Sequence, residues 1–534
     1  MRLRLAYMDQ VPVFDADGIT PEAKMWALMW WDENPFKMWF STPRVPRSIE
    51  TPTLAARTLY ESWPSGAFVP IYLVAKILGV EPSVTMVNWI NATQQGLISL
   101  AAAFIGFNLA LLNRLNKLSS CIIALAVSLP ILLSSGLIYI FSQIYDVVTA
   151  VLIYTALFIL LEVLFYRARS PRDRQIIAAV QLATIYGAFL VDWLSYTLFA
   201  FWMLTRLAAG FLGVTPRVSF RRLVGLSLLP VSAFLIYLCW RFFAPGSVAA
   251  SHGISSSIRE LIGKIMERMN LTDESHISGF GAAFVEMHDG FLWGWAFPWI
   301  VGSVLIALVL LVIAFLRARD ETDRRTTFAT LSVLVLVTVP FYVHMLVLYQ
   351  HTFIHRWAIT KAMLALSLVP FAIVPIAVFT LIRQSAGATA SPARKGGLAT
   401  AGVALAVVSF LCSADAFRAP FHFLGRINRE HLLMWEDIGR NTRYEDVVVS
   451  PVLEALPITK EIGASNKLIH HAANFSEVDR VVERVCGKFN VVLALPKGTE
   501  AGEFGSRAPN EVIDTGRIRL LRYASYTGKA AGCS

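Results

Sequence analysis

Residues 145–169 decide the fold class, with the sequence YDVVTAVLIYTALFILLEVLFYRAR. Within this stretch, residues 147–166 carry a single charged side chain, Glu162. A helix needs about 20 apolar residues to cross the hydrocarbon core of a bilayer. Asp146 lies just before the apolar run and Arg167 just after it, so the charges fall where a spanning helix would leave the membrane.

The composition extends this conclusion to the whole chain. Of its 534 residues, 56% are hydrophobic and 16% are charged, whereas soluble domains have about 25% charged residues. The chain is therefore predicted to be an integral membrane protein. The net charge of +10 does not indicate a nucleic-acid partner, because the Lys and Arg residues cluster in short loops between apolar runs.

Ten spans are predicted from apolar runs of spanning length. They lie near 93–113, 119–140, 147–166, 175–191, 193–209, 222–243, 292–316, 327–349, 357–382 and 397–415. Basic loops follow alternate spans, which places those loops in the cytoplasm and both ends of the chain outside it. Because residues 1–5 lack the apolar region of a signal peptide, we expect an eleventh, first helix to be encoded upstream of Met1.

The predicted fold is an α-helical polytopic membrane protein with a small extracytoplasmic α/β domain. A first outside loop covers residues 1–92, the transmembrane domain covers 93–416 with a long outside loop at 244–291, and the α/β domain covers 417–534. Short apolar runs at 447–450 and 491–495 predict strands, and residues 476–485 predict a helix between them. The predicted location is the cytoplasmic membrane, with the C-terminal domain outside the cytoplasm.

The outside loops hold ionisable side chains close to the membrane boundaries, where such groups are costly unless paired or used. The candidate site residues are Asp15, Asp17, Glu22, Asp146, Asp192, His351, His355 and Arg356. Because four loops carry them to one face of the membrane, a site at that face is predicted.

These residues also support a family resemblance. An acidic first loop is followed by Trp63-Pro64-Ser65-Gly66, by Tyr145-Asp146 opening a span, and by His351-Thr-Phe-Ile-His355-Arg356 opening a late span. This order resembles the GT-C membrane glycosyltransferases, in particular the clan of protein O-mannosyltransferases, aminoarabinose transferases and their bacterial relatives. The resemblance covers roughly residues 11–383.

The resemblance implies transfer of a sugar from a polyprenyl-phosphate donor to an envelope glycan, lipid or protein acceptor at the outer face. It also implies that an acid of the first outside loop is the catalytic base, with a second acid a few residues later. Asp17 is favoured as the base because Gly18 lets the backbone turn close to a substrate, Asp15 is the alternative, and Glu22 is the later acid. The adjacent Asp-Glu pair usual in the family is replaced by Asp15-Ala16-Asp17-Gly18.

The chemistry requires a base for the acceptor hydroxyl and a clamp for the phosphate leaving group. His355 and Arg356 are candidates for the clamp, with Lys361 as a weaker one. His351 and His355 lie four residues apart, as metal ligands on one helix face would. Two histidines are a weak metal signal, so no metal is predicted, although a divalent ion shared with Asp17 or Asp146 stays open.

Simpler interpretations remain for the acids. Asp15 and Asp17 fit turn residues beside Gly and Pro, Asp146 fits an N-cap, and Asp192 fits a helix cap beside an interfacial Trp193. The rival function is a polytopic lipid or glycolipid transporter or flippase, which should carry charges near the middle of its spans.

Three further features carry predictions. The aromatic stretch at 26–40 predicts a helix lying at headgroup depth, and residues 258–268 predict an amphipathic surface helix that acts as a lid or docking element. Cys486 and Cys533 could form a disulfide outside the cytoplasm.

Overall fold

The computed structural model describes the greater part of the chain. The described residues are 19–48, 51–271, 280–292, 295–385, 429–443, 445–450, 469–471, 488–498 and 508–527. The first helices are α1 (Ile19–Glu33), α2 (Val69–Leu78), α3 (Val84–Leu112), α4 (Lys117–Leu133), α5 (Ser135–Gln143), α6 (Val147–Arg167), α7 (Pro171–Phe189) and α8 (Leu194–Phe211). They are followed by α9 (Phe220–Phe243), α10 (Val248–His252), α11 (Ile254–Arg268), α12 (Phe280–Phe291), α13 (Ala296–Arg317), α14 (Glu321–Val347), α15 (Tyr349–Ile354), the continuous helical segment α16 (Arg356–Ser385) and α17 (Arg429–Asn441).

Within the described residues, seven helices are long and apolar enough to cross a membrane: α3, α6, α8, α9, α13, α14 and α16. The pair α4 and α5 makes an eighth if it is counted as one span with a bend of 63°. Pro130 lies near the end of α4, where it removes a helical hydrogen bond. The polytopic helical fold predicted from the sequence is therefore confirmed.

Two of the ten predicted spans differ from this set. The run at 175–191 forms the helix α7, but its first turn contains Arg172, Asp173 and Arg174, which make it less apolar than the seven. The run at 397–415 lies outside the described residues, as does the predicted helix at 476–485.

Local sequence signals explain where the spans begin. The Ser83 side chain accepts a hydrogen bond from Met86 N at the start of α3, and Asn116 does the same for Ser119 N at the start of α4. Asp320 caps α14. Such side-chain caps satisfy backbone N–H groups that have no partner within the helix.

The aromatic helix α1 packs against the rest of the protein, and its position at headgroup depth stays a prediction. Trp26 and Trp30 are buried, and their indole N–H groups donate to the carbonyl oxygens of Pro43 and Ser41, each at 2.8 Å. Phe36 and Trp39, beyond the end of α1, are exposed. Because the indole N–H groups of Trp26 and Trp30 have backbone acceptors, burial of these side chains leaves no hydrogen-bond donor unpaired.

The C-terminal part contains a five-stranded sheet in the order β2-β1-β3-β5-β4. Its strands are β1 (Asp446–Ser450), β2 (Ile469–His471), β3 (Lys488–Pro496), β4 (Glu511–Asp514) and β5 (Ile518–Thr527). β1 pairs in parallel with β2 and β3, whereas β5 pairs antiparallel with β3 and β4. The two predicted strands are confirmed as β1 and β3.

The sheet packs against two helices. Val448, Val492 and Leu520 share a core with Ile438 of α17 and Val84 of α3, so the sheet contacts the start of a span. Cys486 and Cys533 lie outside the described residues.

The Trp63-Pro64-Ser65-Gly66 motif attaches the first loop to the turn between α7 and α8. Gly66 N donates to Leu190 O at 3.1 Å, and a Cβ on Gly66 would lie 2.3 Å from that oxygen. The glycine is therefore required by a close approach of two backbones.

We expect Gly66→Ala to lower the unfolding temperature of the purified protein, by an amount equivalent to about 1–3 kcal/mol, since the methyl group forces the two backbones apart. Gly96→Ala is the matched control, because Gly96 lies in α3 with open space around its Cβ position. The control should be neutral or slightly stabilising. Equal unfolding temperatures for the two variants would contradict the assigned role of Gly66.

Candidate functional site

Four loops meet on the side of the helical bundle that the sequence places outside the cytoplasm. The Trp63 ring of the first loop lies 5.0 Å from the His351 ring and 6.2 Å from the Trp193 ring. Trp357, at the start of α16, donates its indole N–H to Asp146 Oδ2 at 3.1 Å. The structure thus brings Asp146, His351 and the Asp192-Trp193 turn into one region, as the sequence predicted.

Asp146 is the N-cap of α6, so the capping interpretation is confirmed. Its Oδ1 accepts from Val147 N at 2.6 Å, and Thr149 completes a capping box. Its second oxygen is occupied by Trp357. Burial raises the pKa of this carboxyl. Asp146 therefore orients α6 and α16 relative to each other, and a substrate-binding role for it stays a prediction.

Asp192 is fully buried and belongs to an ionic cluster. Its two oxygens accept hydrogen bonds from Lys361 Nζ at 3.2 and 3.1 Å, and Lys361 Nζ also donates to His344 Nε2 at 2.9 Å. Asp192 Oδ1 also accepts from Leu194 N, so the predicted cap is present, but the ion pair goes beyond it. Trp193, predicted as an interfacial anchor, is half-buried among aromatic rings and donates to Ser62 O.

Lys361 and His344 lie inside helices α16 and α14, and His344 was missed by the sequence analysis. An ionisable residue within an apolar span was the available signal, since such residues usually face the bundle interior and pair there. Because Lys361 donates to His344 Nε2, that nitrogen must carry a lone pair, so the cluster balances one positive and one negative charge.

A second cluster joins the end of α11 to α15. Arg268 Nη1 donates to His351 Nδ1 at 3.0 Å, and the guanidinium carbon lies 5.3 Å from the centre of the Trp63 ring. Since His351 Nδ1 accepts this bond, the neutral ring carries its proton on Nε2. His351 Nε2 is buried without a hydrogen-bond partner among the described residues, and so is His355 Nδ1. A buried N–H donor without a partner is suited to an anionic acceptor.

The two histidines are neutral at physiological pH. Burial, followed by the positive charges of neighbouring groups, lowers the pKa of His355 to about 4 and the pKa of His351 well below its usual value. Their rings lie 4.3 Å apart. They can therefore donate hydrogen bonds without adding charge to the region.

A cavity of about 200 Å³ opens beside Arg268. One part of its wall is apolar and is formed by Phe234, Leu261, Ile265 and Leu348. The remaining lining residues are Glu61, Ser62, Trp193, Tyr237, Arg241, Lys264 and Arg268, and most of the surface that the wall exposes to the cavity is apolar. A largely apolar wall that includes Lys264 and Arg268 suits an apolar chain that carries an anionic group.

Glu61 and Arg241 form a buried ion pair in this wall, at 3.2 Å between Oε2 and Nη1. Glu61 Oε1 accepts from Val248 N at 2.7 Å, and Arg241 also donates to Glu61 O at 3.0 Å. Burial raises the pKa of Glu61. The pair connects the first loop to α9 and fixes the cavity wall.

Glu22 lies in α1 near Arg44 and Asp146. Burial raises the pKa of Glu22 to about 7, while Arg44 opposes and Asp146 adds to the shift. Two residues earlier, the Thr20 hydroxyl donates to Gln143 O at 2.6 Å and accepts from Tyr145 N at 2.9 Å. The start of α1 is thereby attached to the loop that ends at Asp146.

Other predicted residues are not joined to these clusters. Asp15 and Asp17 lie outside the described residues. Arg356 is exposed, and its guanidinium carbon lies 5.8 Å from the centre of the Phe353 ring. Among the described residues, its ring contact is with Phe353 and not with His355. Across the described ranges, no group of three His, Cys, Asp or Glu side chains is arranged to hold a metal ion.

Comparison with known proteins finds similarity in solved structures. No family model matches the chain, and no curated protein matches it. ArnT from Cupriavidus metallidurans bound to undecaprenyl phosphate is 12% identical, with a TM-score of 0.47, over 100% of this chain and 98% of ArnT. The oligosaccharyltransferase AglB from Archaeoglobus fulgidus, in complex with an inhibitory peptide and a dolichol-phosphate, is 11% identical, with a TM-score of 0.48, over 91% of this chain and 66% of AglB.

Neither similarity carries an argument about function. At these identities, and with TM-scores below 0.5, the functional argument rests on the residues of this chain.

We expect Asp192→Asn and Lys361→Met each to lower the stability of the purified protein by about 3–5 kcal/mol, because each leaves a buried charge without its partner. The double variant should lose less stability than the two single variants lose together, because it removes both charges at once. Thermal unfolding of the four proteins gives the coupling. Additive losses would show that the two side chains do not interact.

Proposed function

We propose that this protein is a GT-C type glycosyltransferase that moves a sugar from a polyprenyl-phosphate donor to a hydroxyl-bearing glycan, lipid or protein at the outer face of the membrane. One observation carries the proposal. Arg268, which lines a largely apolar cavity, donates to His351 Nδ1, and the buried Nε2–H on the other edge of that ring has no partner among the described residues. This combination suits a phosphate group attached to a prenyl chain.

In the proposed reaction, the acceptor oxygen attacks the anomeric carbon of the sugar. The bond between that carbon and the phosphate oxygen breaks, the polyprenyl phosphate leaves, and the hydroxyl proton passes to a carboxylate. No acid is needed for the leaving group, which keeps its electrons as a phosphate anion. Arg268 and His351 would stabilise the negative charge that develops there.

Asp17 remains the proposed base, with Asp15 as its alternative. Asp17 precedes Thr20 by three residues, and Thr20 bonds to Tyr145 next to Asp146. Glu22 is the second proposed acid, and a pKa of about 7 suits a group that exchanges protons near neutral pH. His355, Arg356 and Asp146 remain proposed substrate-binding residues, whereas Asp192, paired with Lys361, is proposed to hold the turn between α7 and α8 in place. Arg268 takes over the clamp role first given to Arg356.

A transporter or flippase is the second candidate, and one observation favours it. Lys361, Asp192 and His344 are buried charged or ionisable groups within the helical bundle. Their charges are mutually compensated, so they give a translocated headgroup no free partner within the cluster. The transferase is therefore the better supported proposal.

The first test is transfer from a panel of radiolabelled polyprenyl-phosphate sugars in membranes. We expect Asp17→Asn to abolish transfer while the protein level and donor binding are unchanged, and Asp15→Asn to have a smaller effect. If no donor supports transfer and labelled lipid crosses the bilayer instead, the protein is a flippase.

The phosphate clamp is tested by Arg268→Ala. Losing a charged hydrogen bond costs about 1.5–3 kcal/mol, so we expect donor binding to weaken about 10- to 100-fold. Arg259→Ala is the matched control, because Arg259 is an exposed arginine on the same helix α11. Equal donor affinities for the two variants, both with normal unfolding temperatures, would remove Arg268 from the site.

The pH dependence of transfer tests Glu22. Because burial raises its pKa to about 7, Glu22 is mostly protonated at pH 6 and mostly ionised at pH 8. If its ionised form accepts a proton or binds the acceptor, the rate should rise through this range in the wild type. The rise should be absent in Glu22→Gln. A rise that persists in Glu22→Gln would assign the titration to another group.

A further inference from the structure

The amphipathic helix α11 leaves much of its apolar side exposed. Five of its apolar side chains are between 39% and 55% exposed: Ile254, Ile258, Ile262, Ile265 and Met266. Leu261 is half-buried. In a soluble protein, the opposite orientation is the rule, because an amphipathic helix buries its apolar stripe against the core. The exposed stripe therefore needs an apolar partner outside this chain's own fold.

One side of α11 faces the cavity. Ser257 is buried, Lys264 pairs with Glu260, and Leu261, Lys264, Ile265 and Arg268 line the cavity. At about 100° per residue, Lys264 and Arg268 lie about 80–160° around the helix from Ile258 and Ile262, with Leu261 and Ile265 between the two pairs. The side of α11 that carries Ile258 and Ile262 is thus turned away from the cavity and exposed.

The neighbouring helix identifies the apolar surrounding. α9 is one of the candidate spans, and its outward side chains, among them Leu228, Leu235 and Phe243, are exposed and apolar, as those of a helix facing lipid are. Arg241 of α9 donates to Ser257 O of α11 at 3.4 Å, so the two helices are in contact. The apolar side of α11 therefore continues a surface that is already expected to face lipid.

We propose that α11 lies in the bilayer surface beside α9, with the stripe from Ile254 to Met266 inserted at the boundary between headgroups and acyl chains. The occupant of the stripe is membrane lipid. Lipid contact along the stripe then holds Arg268, on the adjoining side of α11, against His351 and Trp63. The membrane is in this way a positioning element for Arg268, and the consequence for donor binding rests on the proposed function.

The test measures the depth of α11 in the full-length protein. A genetically encoded fluorescent amino acid is placed at Ile262 and, in a second protein, at Glu267, which is exposed about 140° around the same helix from Ile262. Both proteins are reconstituted in lipid nanodiscs with one copy per disc. Quenching by spin-labelled lipids and quenching by aqueous iodide are then compared.

We expect the probe at position 262 to be quenched by spin-labelled lipid and protected from iodide, and the probe at position 267 to show the reverse. Iodide quenching at position 262 as strong as at 267 would overturn the proposal, because the stripe would face water. Protection of position 262 from both quenchers would also overturn it, because protein rather than lipid would then cover the stripe.

The positioning role is tested with two paired variants. Ile258→Glu with Ile262→Glu should remove the stripe from lipid and weaken binding of polyprenyl phosphate, whereas Ile258→Leu with Ile262→Leu should leave both unchanged. Suppose that spin-labelled lipid quenches the probe at position 262 but the glutamate variant binds polyprenyl phosphate as well as the wild type. α11 would then lie in the membrane surface, but its role in placing Arg268 would be refuted. The quenching experiment does not require transferase activity, so its result tests the position of α11 independently of the proposed function.

Discussion

The buried ion pair between Asp192 and Lys361 is the interaction on which the site depends. It joins the turn between α7 and α8 to α16, and His344 adds α14 to the same cluster. Two charges removed from water are costly, and close hydrogen-bonded contact is what makes their burial tolerable. The turn between α7 and α8, α14 and α16 are consequently fixed relative to each other at this cluster. The loops next to the cluster are thereby held in a defined arrangement.

The first loop is positioned from this point outward. Gly66 bonds to Leu190, two residues before Asp192, so the loop is attached to the same turn. Trp63 then lies between the rings of Trp193 and His351, and the Arg268 guanidinium lies over it. A single large aromatic ring can serve both contacts because its face attracts a cation while its edge packs against other rings. The site is thus assembled by backbone contact and aromatic packing around a charged centre.

The sequence predicted the fold well because length and apolarity determine which segments span a bilayer. Most predicted spans match helices to within several residues, and the exception at α7 follows from charges within its first turn. Predictions about individual side chains were less complete, because a residue's neighbours come from distant parts of the chain. Asp192 is recognisable as a cap from its place in a turn, whereas its bond to Lys361 joins residues 169 positions apart. Arg268 was predicted to lie on an amphipathic helix, but its contact with His351 depends on which side of that helix faces inward.

Charges within the spans do not by themselves separate a transferase from a transporter. The sequence criterion was that a transporter carries charged residues near the middle of its spans. Lys361 and Asp192 meet that description in part, yet each already has the other as its partner, so neither charge is free to bind an ionic substrate. The more informative group is a buried donor that the protein itself does not satisfy, because a native fold tolerates few of these without a ligand or water. His351 Nε2 is such a donor within the described residues, and it lies beside the loops rather than in the middle of the bundle. This position at one face of the membrane favours chemistry on a lipid-linked substrate that stays on one side, over passage of a headgroup through the bundle.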